Sequence, residues 1–362
     1  MVITKPTGTE ALPEADEVAR GGLTQVTVLT ATAVSEVTTS ADGLGANYYD
    51  NSDGRFYSMA TDGTPTRLSN KQFPDVESVA WNQDNEKAVI EFPDGSNIIY
   101  DFVSEVQVTL PKHWEDFSFS PTTDEIISKS IGLDPDNRGL IVSNDDGSQT
   151  QVVQALGDNA DKVQINPSPT DQIIAFSDTA SSQTSLSSKM IIPIGKNHEN
   201  FDGLTVEGMG FESTWSPRGS TLLYSVAGEY SNYRPLLWAV SGNLSTFGDE
   251  RRTLGLNTWV NKCTFADDTT AYCAVPQQME DNWGLQPVLA ARVPDDLYLI
   301  NLASGKSSLI ARPAENVSMS NLSLSDDNTS LFFTDSLTGR LELIKLQKPL
   351  LCTYSIVGSP YW

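Results

Sequence analysis

A short phrase recurs along this chain: one or two apolar residues, a small polar residue, a Pro/Asp/Gly turn cluster and then a short apolar strand. It is clearest at Trp215-Ser216-Pro217-Arg218-Gly219 before Leu222-Leu223-Tyr224, and at Phe119-Ser120-Pro121-Thr122-Thr123-Asp124 before Ile126-Ile127. Weaker copies surround Ser40, Asn82, Ser168, Ala266 and Ser325, so the steps between successive markers are 42, 38, 48, 48, 50 and 59 residues. A period of this size leaves room for four short strands per unit, none of which can bury its faces alone; stacking such units around an axis gives a β-propeller. The chain is therefore expected to be all-β, a seven-bladed β-propeller of four-stranded antiparallel blades.

Within the fifth unit, strands a to d, from the inside outward, are expected at residues 212–215, 222–226, 236–240 and about 251–254. The second unit divides at 78–81, 87–92, 97–102 and 107–110, with Pro93-Asp94-Gly95 as its tight b-to-c turn. The seventh unit runs out after three strands near Leu346, while a spare strand, residues 23–29, precedes the first marker and resembles the d strand at 106–110. Placing that N-terminal strand outside the last blade closes the ring and removes an open sheet edge. Residues 1–22 are then expected to be a flexible, acidic, Pro-containing stalk, residues 23–346 the propeller, and residues 347–362 a tail with no place in the scheme.

Charge narrows the partners. With 23 Lys and Arg against 47 Asp and Glu, the net charge of −24 disfavours nucleic acid and anionic membrane surfaces and leaves basic ligands as the easier partners. The same charge also serves simply to keep a secreted or surface protein soluble. No stretch approaches the roughly 20 continuous apolar residues that cross a bilayer, and residues 1–22 lack the charged-then-apolar order of a signal peptide. Of three cysteines, Cys263 and Cys273 flank a hairpin turning at Asp268, which places them opposite each other at disulfide distance. A bridge there implies an oxidising compartment; a pair of buried thiols is the competing arrangement. Cys352 is left over.

Strand a alternates regularly. Val37, Val79, Phe117, Ile165, Trp215, Phe265 and Leu322 form the packing phase, and Thr38, Ala80, Ser118, Asn166, Thr214, Thr264 and Ser323 the opposite phase. Two residues before the latter stand Glu36, Ser78, Asp116, Gln164, Glu212, Lys262 and Asn321, a polar ring expected near one mouth of the central channel; polar residues satisfying crowded backbone explain the pattern equally well. The longest b-to-c loops, residues 132–139, 179–189, 228–235 and 276–296, emerge on the face of the d-to-a connections, where Trp114, Phe211 and Trp259 are expected. Loops elaborated on one face of a rigid scaffold present a binding surface. The expected contacts are Trp114, Asp116, Arg138, Glu212, Tyr230, Tyr233, Arg234, Trp259, Lys262 and Trp283, with Arg292 nearby.

The Trp/Phe-Ser-Pro-x-x-Gly/Asp phrase followed by an apolar strand resembles the TolB-type, WD40-like repeat over residues 23–346. Asn166-Pro167-Ser168-Pro169 and Ala266-Asp267-Asp268 depart from its usual letters. The chain is also similar to uncharacterised bacterial cell-envelope propellers carried behind an N-terminal anchor and stalk, which implies an extracytoplasmic location. The same repeat precedes the hydrolase domain of prolyl-oligopeptidase-like enzymes, but no Gly-x-Ser-x-Gly elbow occurs here. Oligogalacturonate lyases resemble this repeat too and hold their metal with several histidines; His113 and His198 are too few to carry that over. Asp134-Pro135-Asp136-Asn137-Arg138-Gly139 matches a calcium loop only at its first, third and sixth positions, so an Asp/Asn turn is the default. The chain is thus expected to be a monomeric, non-enzymatic binding scaffold for a protein, peptide or glycan, needing no cofactor or metal. The alternative is a carbohydrate-active lyase or glycosidase with Asp116 and Glu212 at the channel mouth.

Overall fold

Seven sheets, each beginning with an inner strand and stepping outward in chain order, form the seven blades of a propeller. The computed structural model describes residues 14–180 and 188–347; the expected tail beyond Gln347, with Cys352, and most of the loop at 179–189 lie outside the described residues. Blade 2 comprises Ser78–Trp81, Lys87–Glu91, Asn97–Asp101 and Gln107–Leu110, and blade 5 comprises Met209–Trp215, Thr221–Ala227, Pro235–Ser241 and Arg252–Thr253. Every pairing within these two blades is antiparallel.

The core lies between blades. Because successive side chains on a strand point to opposite faces, Ile126 packs towards blade 2 with Val89, Ile99 and Trp114, whereas Ile127 packs towards blade 4 with Val163 and Ile174. Each of the seven seams has such an apolar cluster. A central strand buried on both faces has no polar phase, which explains why strands b and c read as continuous apolar runs.

The small polar residue of the repeat closes the a-to-b turn. Ser40, Ser168, Ser216 and Ser325 each accept, through Oγ, the backbone N–H five residues on, at Gly45, Ile173, Thr221 and Ser330. Asn82 does the same for Lys87 through Oδ1, and Ser120 accepts from Thr122 and Thr123. All four of the first serines are buried, so the hydroxyl satisfies a donor that water cannot reach, worth about 1 kcal/mol. At Ala266 the neighbouring Asp267 takes over, accepting from the N–H of Thr269 at 2.7 Å.

The ring is closed by the N-terminal segment. Thr27–Val28 pairs antiparallel with Leu341–Leu346, the third strand of blade 7, as the fourth strand that blade lacks. The expected single strand at 23–29 is divided, however. Gly22–Thr24 pairs instead in parallel with Lys306–Pro313 of blade 6, and Val18–Ala19 pairs in parallel with Lys345 and Leu346. The segment thus straps the seam between blades 6 and 7, with Ala19 and Val26 packed into its core. Within the span expected to be stalk, Val18–Ala19 and Gly22 therefore belong to strands.

Cys263 and Cys273 face each other across strands a and b of blade 6 and form a disulfide. No helix among the described residues is long and apolar enough to cross a membrane.

Candidate functional site

Two of the elaborated b-to-c loops, in blades 5 and 6, are built as one platform. The blade 5 loop makes a single 3-10 turn, Glu229–Ser231, and then places Asn232 and Tyr233 in the left-handed region at φ 53° and 57°. The single Ser231 hydroxyl proton donates to the Arg234 carbonyl at 2.5 Å, with the Gly228 carbonyl 3.1 Å away, locking the loop across its own base. The blade 6 loop makes two such turns, Trp283–Leu285 and Pro287–Leu289. The N–H of Asn282 donates to the Asn232 carbonyl at 3.0 Å, that of Gly284 to the Tyr233 carbonyl at 2.8 Å, and Arg234 pairs with Asp281 at 2.7 Å. Gly284 is required for this docking, since a Cβ there would lie 2.3 Å from Ala227 Cβ. Trp259 holds the joint from below, its indole N–H donating to the Gly284 carbonyl at 3.0 Å.

Both loops expose large apolar side chains, interspersed with exposed polar ones such as Glu229, Asn232, Glu280 and Gln286. Tyr230 is 70% exposed and Val288 76%, and Tyr233, Leu285 and Leu289 are also exposed. Scattered exposed leucines are ordinary, whereas here several large side chains are held on two interlocked loops.

A second feature is an open recess of about 500 Å³ where blades 2, 3 and 4 meet the channel mouth, lined by Ser78, Glu91, Asp116, Lys129, Asp161 and Gln164. Asp116 sits on a β-bulge between Glu115 and Ser118, in the left-handed region at φ 55°, and its Oδ2 pairs with Lys129 Nζ at 2.6 Å. Ser78 Oγ donates to Glu91 Oε1 at 2.6 Å, and the N–H of Val79 donates to Glu36 Oε2 at 3.1 Å. Burial raises both Glu36 and Glu91 above the usual carboxylate range; the charge of Glu91 raises Glu36 further, and that of Asp116 raises Glu91. Gln164 Nε2 donates to the Phe211 carbonyl at 2.7 Å, which joins the recess to the inner strand of blade 5. On that strand burial alone raises the Glu212 carboxyl.

The expected polar ring is only partly formed. Ser78, Asp116 and Gln164 line the recess, and Glu212 is not among its lining residues. Lys262 is withdrawn from the channel and buried, its Nζ 2.7 Å from Oδ2 of the fully buried Asp295, which also accepts from the N–H of Met319. Burial pushes the Asp295 carboxyl up to about 6 despite the attraction of Lys262. Bulges explain part of the difference. Blades 1, 3, 5 and 7 carry a register shift on strand a, with Glu36, Asp116, Gly210 and Asn321 at positive φ, so the two-residue alternation does not extend across it.

Of the other expected contacts, Trp114 and Trp259 are buried supports that offer no ring to a ligand. Arg138 fastens its own loop, donating through Nε to the Gly132 carbonyl at 3.0 Å, and Asp134 accepts from the N–H of Asp136 as a plain Asp turn. Tyr230, Tyr233 and Arg234 belong to the blade 5 loop, and Trp283 to the blade 6 loop docked on it. Sequence reasoning missed Leu285, Val288 and Leu289, whose signal was apolar residues inside a long loop, and Glu91 and Lys129, whose signal was charge at the end of an apolar strand b. Among the described residues no group of three or more His, Cys, Asp or Glu side chains is placed to hold a metal ion.

No family model matches the chain, and no curated protein matches it. Solved structures do match in fold. The β-propeller domain of Cps50 (Swd1) from Myceliophteria thermophila aligns with a TM-score of 0.57 at 10% identity, over 89% of this chain and 100% of that one. An oligogalacturonate lyase from Vibrio parahaemolyticus aligns with a TM-score of 0.59 at 10% identity, over 88% and 93% of the two chains. An oligogalacturonate lyase in complex with manganese gives 0.55 at 13% identity, over 89% and 93%. At such identities the likeness is one of architecture, and the chain is a seven-bladed β-propeller protein.

Proposed function

We propose that this protein is a non-enzymatic, extracytoplasmic scaffold that binds a protein, peptide or glycan on the face carrying the blade 5 and blade 6 loops. The observation that carries this reading is the interlocked platform: large apolar side chains are exposed, yet the loops beneath them are held by backbone hydrogen bonds, an ion pair and a glycine contact. Pre-ordered loops lose little conformational freedom on binding, so the apolar contact they make is not offset by ordering. The Cys263–Cys273 disulfide supports an oxidising compartment. A net charge of −24 favours partners with basic surfaces.

The test is a screen of the parent protein on defined peptide and glycan arrays, repeated with the double variant Tyr230→Ala/Val288→Asp. Array ligands lost by the double variant, with its thermal unfolding unchanged, support this face; ligands retained at parental affinity refute it. If instead the parent degrades acidic oligosaccharides, and Asp116→Asn or Glu212→Gln abolishes that turnover, the enzymatic alternative replaces the scaffold.

A further inference from the structure

Two contacts link the platform to the channel mouth. A Cβ on Gly210 would meet Leu285 Cδ2 at 2.9 Å, so the inner edge of the platform lies against strand a of blade 5. Two residues along that strand is Glu212, half-buried, with no hydrogen bond or ion pair among the described residues. Between them Phe211 accepts from Gln164, which lines the recess that also holds Glu91 and Asp116. The blade 6 loop therefore meets strand a of blade 5 within two residues of Glu212.

Three cations near this route are already paired, while Arg292, exposed in the blade 6 loop, has no ion pair among the described residues. Lys129 is bound to Asp116, Lys262 is buried against Asp295, and Arg234 is paired with Asp281. Burying a carboxylate without a counter-charge is unfavourable, so Glu212 is poised to gain from a cation brought by a ligand. A small free cation would leave the platform unused, and a neutral apolar ligand would leave Glu212 unpaired.

We propose that the face binds a basic polypeptide segment, whose apolar side chains rest on Tyr230, Leu285 and Val288 and whose Lys or Arg side chain pairs with Glu212, the segment continuing towards Glu91 and Asp116. This rests on the binding-face reading above and adds to it the chemistry of the partner. Charge complementarity selects the ligand: the apolar contact supplies affinity, and the carboxylate beside it rejects acidic sequences.

The experiment uses fluorescence anisotropy with three labelled synthetic peptides of equal length at physiological ionic strength. One alternates Lys with Leu and Trp, one carries Glu in place of every Lys, and one is all Lys. The first peptide is expected to bind, and the other two to bind at least roughly tenfold more weakly. Glu212→Gln is expected to weaken the first peptide roughly tenfold, and Tyr230→Ala/Val288→Asp to weaken it at least as much. Thermal unfolding of each variant separates lost binding from lost folding. If the acidic peptide binds as well as the basic one, or Glu212→Gln changes nothing while the double variant still weakens binding, the cationic assignment fails and the platform stands. If the basic peptide binds equally to parent and double variant, the platform itself is refuted. Failure of the basic apolar peptide to bind, or equal binding by the all-Lys peptide, also overturns the proposal.

Discussion

Glu342 provides a direct test of how the ring is closed. It lies on the third strand of blade 7, opposite Val28 of the closing strand, and is only 4% exposed; its Oε2 has no hydrogen-bond partner among the described residues. Burial, then the charges of Asp335 and Glu315, push its carboxyl up to about 7 from an ordinary 4.5, against a smaller opposing effect of Arg340. Because the folded-state value is raised, the acid is neutral in folded and unfolded chains below about pH 4.5 and carries no penalty there. Between pH 4.5 and about 7 the unfolded chain releases the proton first, so folded stability falls as pH rises, and the loss is complete above about 7. At about 1.4 kcal/mol per pH unit, the difference amounts to about 3 kcal/mol. Glu342→Gln keeps the shape and cannot ionise, so it should stabilise the protein at pH 8 by about that amount and have little effect at pH 5. With an unfolding entropy of about 2.1 cal/mol/K per residue over 362 residues, the expected rise in Tm at pH 8 is about 4 °C. Paired melting curves of parent and variant at both pH values, followed by circular dichroism, make the measurement. A Tm difference that is the same at pH 5 and pH 8, or a variant less stable than the parent at pH 8, refutes an ionisable acid buried under the closing strand.

Other outcomes follow from the same seam and from blade 6. Deleting the chain through residue 30 removes Thr27–Val28 and bares the edge of blade 7, so the product should aggregate on size-exclusion chromatography; deletion through residue 20 keeps that strand but loses Val18–Ala19, and should give a folded ring with a lower Tm. Equal stability of both truncations to the parent would contradict the strap. Alkylation without reduction should leave Cys263 and Cys273 unmodified by mass spectrometry, and Cys263→Ala/Cys273→Ala should cost about 2.7 kcal/mol in urea unfolding, the chain-entropy value for so short a loop; modification of both thiols before reduction would contradict the bridge.

What the sequence determined by itself is the local chemistry that each unit repeats. The marker serines could be located because each hydroxyl bonds an N–H only five residues away, and the disulfide because a tight hairpin places Cys263 and Cys273 opposite each other within 10 residues. Only the tertiary structure decided how distant parts meet. The N-terminal strand divided because the seam offers two strand edges, one in blade 6 and one in blade 7, with Ala19 and Val26 packed into the core between them. The channel mouth departed from simple alternation because bulges at Glu36 and Asp116 turn the chain, and because Glu91 and Lys129 arrive from second strands. The platform joins loops about fifty residues apart through Gly284 and the Arg234–Asp281 pair, contacts that exist only once blades 5 and 6 lie side by side. Short-range hydrogen bonds are written in consecutive letters, whereas a surface assembled from neighbouring blades depends on the closed ring that brings them together.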